Sequence, residues 1–141
     1  MTAIASLIAR LEAATTGGTR KLNGDIAAAL RITPLRAPDW LVNWDGDFGA
    51  DETGQVACLH SDGRRGVNWA PPSFTSSIDS ALTLVPEGYC FEIRSNPFTR
   101  RKSATLYTRG DVLFWVEAPT PALALCIAAL KARAAQAEGK L

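Results

Sequence analysis

The sequence predicts a small α+β domain, with helices before and after a short antiparallel β-meander. Apolar residues recur at helical spacing near both ends of the chain, from Ile4 and from Leu123. Between residues 89 and 117, three β-prone stretches are separated by short polar connections. Helices flanking a small antiparallel sheet are typical of an α+β layered fold.

Two helices are predicted in residues 1–33. The first follows from apolar residues three and four apart: Ile4, Leu7, Ile8 and Leu11. Thr2 can cap its start, and Gly17-Gly18 ends it. The second follows from a similar set: Leu22, Ile26, Ala29 and Leu30. Asn23 can cap this helix, which must end before Pro34 because a residue preceding proline is excluded from the helical region.

Residues 34–72 are predicted to form an irregular acidic segment. Stretches 40–44 and 55–60 are β-prone, but five glycines interrupt the region: Gly46, Gly49, Gly54, Gly63 and Gly66. Between Arg36 and Arg64 there is no lysine or arginine, and there are six acids: Asp39, Asp45, Asp47, Asp51, Glu52 and Asp62. The charge is therefore segregated along the chain although it nearly cancels overall.

A helix, three strands and a second helix are predicted over residues 73–137. Ser76 followed by Asp79 resembles a capping box that starts a helix of roughly ten residues. Strands are predicted at 89–94, 103–108 and 112–117, joined by a longer loop and a tight turn into an antiparallel meander. Thr120 as a cap and Pro121 at the first helical position begin the last helix, which Gly139 ends. Its apolar face is predicted from Leu123, Cys126, Ile127, Leu130 and Ala134.

Length and composition exclude several classes of protein. The chain has 141 residues, 47% of them hydrophobic and 21% charged, with a net charge of +1, which excludes a disordered tail. We expect one domain covering residues 1–141. The charge balance argues against a long nucleic acid as partner. We expect no membrane span and no signal peptide, and therefore a cytoplasmic protein.

The cysteines and acidic residues do not predict a metal or disulfide site. Cys58, Cys90 and Cys126 are widely spaced, so we interpret them as buried thiols. The run 45–51 resembles the opening of a calcium loop, but the positions that need oxygen ligands or glycine hold Gly49, Ala50 and Val56. No metal and no cofactor is predicted.

Catalysis is not predicted either. The single histidine, His60, stands between Cys58 and Asp62 in the sequence. On a strand these side chains would point to one face side by side, whereas a nucleophile, base and orienting acid must converge through space. We therefore favour an ordinary histidine and a buried cysteine over an active site.

The loop at residues 95–102 has the composition of a nucleotide-binding loop. It holds Asn96, Phe98, Arg100 and Arg101, and it is preceded by Arg94. Guanidinium groups bind phosphate oxygens bidentately, an aromatic ring stacks on a base, and an asparagine amide can read a purine edge. The alternative is a solvated hairpin tip.

Two further features have both a functional and a packing interpretation. Phe74 and Thr75 can flank a phosphate pocket at the start of the third helix, or they can pack in the core. The last helix carries a second face of small residues: Ala124, Ala128, Ala129 and Ala132. Such a face permits close approach of another helix, within the chain or from a second copy.

Two stretches together resemble the phage ABA sandwich domain, which occurs in small phage and prophage proteins. They are FTSSIDSALTLVPEGYCFE at 74–92 and APTPALALCIAALKA at 118–132, and the likeness covers about residues 73–133. Proteins similar to this family include the anti-Thoeris nucleotide sponges, which oligomerise and sequester cyclic ADP-ribose-type immune signals without cleaving them. The resemblance implies a sheet layered between helices in an α/β/α sandwich, a counter-defence role in the host cytoplasm, and a homo-oligomer from dimer to hexamer.

We therefore predict a non-enzymatic phage protein whose pockets hold a small cyclic nucleotide, either a cyclic ADP-ribose isomer or a cyclic oligonucleotide. The predicted ligand-binding residues are Phe74, Thr75, Arg94, Asn96, Phe98, Arg100, Arg101 and Arg109. Phe74 and Thr75 lie in the family-like motif, and Asn96, Arg100, Arg101 and Arg109 are placed by their position on the family's strands. The alternative is a phage accessory or inhibitor module that binds a host protein through the acidic surface of residues 39–62.

Overall fold

A computed structural model of the chain describes residues 3–14, 20–30, 41–44, 56–60, 65–69, 72–108 and 111–137. The chain divides into two compact units, Met1–Gly18 with Ser73–Leu141, and Thr19–Pro72. The two N-terminal helices, which the sequence places next to each other, therefore belong to different units.

Four helices and six strands lie in the described residues. In chain order they are α1 (Ala3–Glu12), α2 (Arg20–Leu30), β1 (Leu41–Trp44), β2 (Val56–His60), β3 (Arg65–Trp69), α3 (Ile78–Leu82), β4 (Cys90–Ser95), β5 (Lys102–Thr108), β6 (Asp111–Ala118) and α4 (Pro121–Ala137). None of these helices is long and apolar enough to cross a membrane.

In the larger unit, strands β4, β5 and β6 form an antiparallel sheet with β5 in the middle. This confirms the predicted meander, and its packing against α4 confirms the small α+β fold. One face of the sheet is apolar and buried, because alternate residues of β5 and β6 point toward α4. Those residues are Ala104, Leu106, Val116 and Ala118.

Helix α4 is the central element of this unit. As predicted, Thr120 caps it, because the Leu123 N–H donates to Thr120 Oγ1 at 3.2 Å. The helix contacts β5 and β6 on one side and α1 and α3 elsewhere on its surface, so it lies between the sheet and these two helices. Every residue from Ala122 to Leu130 is buried. The small-residue face is thus covered within the chain.

Three polar contacts tie α4 to the segments on its far side. The Cys126 thiol donates to the Phe74 carbonyl at 2.8 Å. Arg133 Nε donates to the Leu84 carbonyl at 2.6 Å, in the turn that follows α3. Lys131 Nζ lies 3.6 Å from Glu12 Oε2 at the end of α1. These contacts fix which side of α4 faces α3 and which faces α1.

Helix α3 is shorter than predicted. It has five residues and begins after Ser77, whose Oγ accepts a hydrogen bond from the Ser80 N–H at 3.3 Å, so the prediction of Ser76 as cap was wrong. After Leu82 the N–H groups of Leu84 and Val85 bond three residues back, which tightens the chain into turns instead of continuing the α-helix.

The smaller unit contains α2 and the antiparallel sheet β1-β2-β3. Helix α2 begins at Arg20, so Asn23 lies within it and is not its cap. Strands β1 and β2 confirm the two β-prone stretches, whereas β3 was not predicted because Gly66 lies inside it. The six acidic residues between Arg36 and Arg64 lie outside the described residues.

Candidate ligand-binding face

The sheet of the larger unit has a second face, which points away from α4 and is largely exposed. Because side chains alternate along a strand, the neighbours of the buried residues point outward. We call these side chains the outer face: Glu92, Arg94, Ser103, Thr105, Trp115 and Glu117. Trp115 lies among them with 60% of its surface exposed. A large aromatic ring left in water on a sheet is an informative feature, since tryptophan is usually mostly buried.

A concavity of about 340 Å³ lies between Trp115 and the β4–β5 loop, and we call it the hairpin concavity. Its lining includes Arg94, Asn96, Phe98, Ser103, Trp115 and Glu117. Phe98, at the tip of the loop, is 93% exposed. Ligand pockets in proteins have volumes of roughly 300–1,000 Å³, so this concavity suits one ring system of the size of a base.

A second concavity, of about 300 Å³, lies between the end of α1, strand β6 and helix α4, and we call it the helix concavity. Leu11, Val116, Ala118 and Ile127 line it with apolar groups, and Arg101 and Lys131 line it with cations. Trp115 and Glu117 line both concavities. These two residues are therefore the boundary that the two concavities share.

Each arginine beside Trp115 is paired with a carboxylate. Arg94 Nε donates to Glu92 Oε1, and Arg101 Nε lies 2.9 Å from Glu117 Oε1. Arg101 also donates from its terminal nitrogen to the Glu117 carbonyl at 3.3 Å. Ion pairs in contact with solvent are weak, at about 0.2–1 kcal/mol, so an anionic ligand can displace these carboxylates at small cost.

The β4–β5 loop is a hydrogen-bonded turn built around Asn96. Its Oδ1 accepts from the Phe98 N–H at 2.9 Å and from the Thr99 N–H at 3.3 Å. Its carbonyl accepts from the Arg100 N–H at 2.9 Å, and Arg100 has a φ of 61°, in the left-handed region. Asn96 Oδ1 already accepts hydrogen bonds from two backbone N–H groups. The structure therefore does not support the prediction that this amide recognises a purine edge.

The structure brings four of the predicted site residues to the two concavities. Arg94, Asn96 and Phe98 line the hairpin concavity, and Arg101 lines the helix concavity. Arg100 is exposed on the same loop but lines neither concavity.

The other predicted residues lie elsewhere. Phe74 and Thr75 are 1% and 0% exposed, so they are core residues, and their predicted contact with a ligand is corrected. Phe74 lies in the core, and its carbonyl accepts from the Cys126 thiol. Arg109 lies outside the described residues.

Sequence reasoning missed Trp115 and Lys131. Strand β6 was recognised as β-prone, and its period of two already placed Trp115 on the same face as Glu117 and opposite Val116. That signal would have identified an aromatic ring among polar neighbours. Lys131 reaches the site only through the packing of α4 against α1, which local sequence does not show.

The described cysteines differ in environment. Cys126 is buried, and burial raises the pKa of its thiol to about 12. Cys90 is exposed on β4, so the prediction that it is buried was wrong. Cys58 and His60 lie on β2, whose side chains the structure does not describe. Asp62 lies outside the described residues. Within the described ranges no group of three His, Cys, Asp or Glu side chains could hold a metal ion.

Comparisons with known proteins assign no family to this geometry. No family model, no curated protein and no solved structure matches the chain at a significant level. The likeness to the phage ABA sandwich domain therefore stays a prediction from sequence.

Proposed function

We propose that this protein is a non-catalytic binder of a small phosphate-bearing aromatic ligand of the nucleotide class, held on the outer face around Trp115. The observation that carries the proposal is the position of Trp115, an exposed aromatic residue that lines both concavities. Arg94 lines one of these concavities and Arg101 lines the other. A stacking surface near two cations matches the chemistry of a base that carries phosphate.

The two parts of such a ligand would make different contacts. The base stacks on Trp115, with Phe98 as a second apolar wall, which is a mode of binding that tolerates any base. Phosphate oxygens accept hydrogen bonds from the guanidinium groups of Arg94 and Arg101 in place of Glu92 and Glu117. The volume of about 340 Å³ suits a single base, so the hairpin concavity would hold only that part of the ligand.

The groups around Trp115 favour binding over chemistry. Within the described residues, the hairpin concavity is lined by an arginine, a glutamate already paired with Arg101, hydroxyls, an amide and apolar groups. Neither a histidine nor a thiol is among its described lining residues. We propose that the ligand is released unchanged, as in the sponge proteins that the sequence resembles, and cyclic ADP-ribose isomers and cyclic oligonucleotides are the first ligands to test.

Replacing Trp115 by alanine is expected to weaken ligand binding by roughly 5- to 150-fold, because stacking of one base on an aromatic side chain contributes about 1–3 kcal/mol. Calorimetric titration with cyclic ADP-ribose isomers and cyclic di- and trinucleotides measures the affinity of the wild type and of Trp115→Ala. Phe91→Ala is the matched control, since Phe91 is an exposed aromatic of the same sheet that lines neither concavity.

Two outcomes contradict the proposal. If none of these nucleotides binds the wild type, or if Phe91→Ala weakens binding as much as Trp115→Ala, the outer face is not the site. Mass spectrometry of ligand recovered after heat release tests whether the ligand is released unchanged. Recovery of a chemically altered nucleotide would show an enzyme.

Replacing Glu117 by glutamine is expected to strengthen binding of the same ligand by about 1.4- to 5-fold. The substitution keeps the shape but removes the charge that competes with phosphate for Arg101, and such exposed pairs contribute about 0.2–1 kcal/mol. The matched control is Glu87→Gln, an exposed carboxylate in the turn before β4 that lines neither concavity. Unchanged or weaker binding by Glu117→Gln would show that Arg101 does not contact an anion.

A further inference from the structure

Strand β4 is an edge of its sheet. In the order β4-β5-β6 it pairs with β5 alone among the described strands, and its residues at both ends are exposed. An edge strand presents N–H and C=O groups that another strand can pair with.

A backbone hydrogen bond at the β4–β5 loop shows which residues of β4 direct their N–H and C=O groups toward β5. The Asn96 N–H donates to the Arg101 carbonyl at 2.9 Å, one step beyond the last pair of the β4–β5 ladder, Ser95 with Lys102, so these two residues have the geometry of a hydrogen-bonded pair. Because such pairs alternate along an antiparallel ladder, Arg94 and Glu92 bond to β5 in the same way. The N–H and C=O groups of Phe91, Ile93 and Ser95 therefore point to the free edge.

A second copy of β4 can pair with these groups in three registers that use most of the strand. They are centred on Glu92, on Ile93 or on Arg94, and each places outward-facing residues opposite each other. The register centred on Glu92 puts two Glu92 side chains together, and the one centred on Arg94 puts two Arg94 side chains together. Only the register centred on Ile93 puts Glu92 opposite Arg94 of the second copy, and it does so twice. Opposite charges across a strand pair stabilise it, and like charges destabilise it.

We propose that two copies of this chain associate through antiparallel pairing of their β4 strands, centred on Ile93, into a continuous six-stranded sheet. The apolar side of the sheet supports the same contact. Phe91, which faces Leu106 in the register of β4 and β5, is 44% exposed, and Ile93 is half-buried. In the dimer the Ile93 side chains of the two copies lie side by side. They lie at the part of the sheet that α4 covers least, because α4 contacts β5 and β6 more than β4.

The symmetry of this arrangement has a consequence for the outer face. The two-fold axis passes through the paired Ile93 residues perpendicular to the sheet, so both outer faces point to the same side. Two copies of Trp115 then lie on one surface. The association itself uses backbone groups and side chains of β4 and does not depend on ligand binding.

A charge-reversal experiment tests the register. Glu92→Arg gives a strand with two arginines, and Arg94→Glu gives a strand with two glutamates. Each variant alone is expected to raise the dimer dissociation constant about tenfold or more, since both cross-strand pairs become like-charged. An equimolar mixture of the two is expected to form the heterodimer at wild-type strength. Sedimentation equilibrium over a concentration series measures all three.

A backbone experiment tests the strand pairing. Ser95→Pro removes an N–H that faces the free edge, which a monomeric edge strand tolerates, and is expected to abolish the dimer while circular dichroism stays that of the wild type. Ser95→Ala is the matched control, because it loses the same hydrogen bond from Lys102 Nζ at 2.7 Å but keeps the N–H. The proposal is overturned if the wild type is monomeric throughout, if the dimer survives Ser95→Pro, or if single charge reversals leave its dissociation constant unchanged. These readouts are masses, so they fail or succeed separately from nucleotide binding.

Discussion

Replacing Leu125 by alanine is expected to lower the free energy of unfolding by about 2–5 kcal/mol, the range for truncating a fully buried leucine. Leu125 is 0% exposed and lies in the middle layer of the larger unit. Leu113→Ala removes the same atoms from a residue of β6 that is 36% exposed, and it is expected to cost less than about 1 kcal/mol.

The position of Leu125 explains the size of this effect. Successive residues of a helix are rotated by about 100°, and the contacts of Cys126 with Phe74 and of Lys131 with Glu12 assign two sides of α4 to α3 and α1. Leu125 falls on neither of these two sides, and it is fully buried together with its neighbours Ala124 and Cys126. A cavity left there is enclosed by buried groups, so it cannot fill by relaxation of an exposed chain.

Urea titration followed by far-UV circular dichroism measures both variants. Equal losses from Leu125→Ala and Leu113→Ala would contradict the central position of α4. Tryptophan fluorescence is measured in the same titrations, because the chain has two compact units. Transitions that coincide in fluorescence and circular dichroism are the test of two-state unfolding.

The parts of the fold that follow from local signals could be predicted from the sequence. The cap at Thr120, the proline at the start of α4 and the alternation in β4–β6 all act within a few residues, and the structure has each of them. The errors arise where a local signal has two meanings. Ser76 and Ser77 can both cap, and packing decides between them; Asn23 is a good cap residue but is buried inside α2.

In the candidate site, too, only the features that follow from local signals could be predicted from the sequence. The basic loop was recognisable from its composition, yet Asn96 serves its own turn, because an asparagine suits both a turn and a ligand. Phe74 could be core or pocket from sequence alone, and only tertiary packing buries it. The two concavities depend on the register of β5 with β6 and on the contact of α1 with α4. These are long-range properties that no short window of sequence contains.

Raising the pH above about 9 is expected to destabilise the larger unit through the thiol of Cys126. Burial raises the pKa of this thiol from an ordinary value of 9.0 to about 12. The folded state therefore keeps a proton that the unfolded state loses. The contribution is fully present below pH 9, and it is lost as the pH rises toward 12. Each pH unit in that window lowers the free energy of unfolding by about 1.4 kcal/mol, so the loss approaches about 4 kcal/mol.

The comparison of wild type with Cys126→Ala isolates this effect, because lysines and tyrosines titrate alike in both proteins. Between pH 7.5 and 10.5 the wild type is expected to lose about 2 kcal/mol more than Cys126→Ala in urea titrations. Cys90→Ala should behave like the wild type, since Cys90 is exposed. The same difference predicts that a thiol reagent modifies Cys90 in the folded protein and Cys126 only after unfolding. Equal pH dependence in wild type and Cys126→Ala would mean that the thiol is not buried in the folded protein, which would contradict the packing of α4 against the segment before α3.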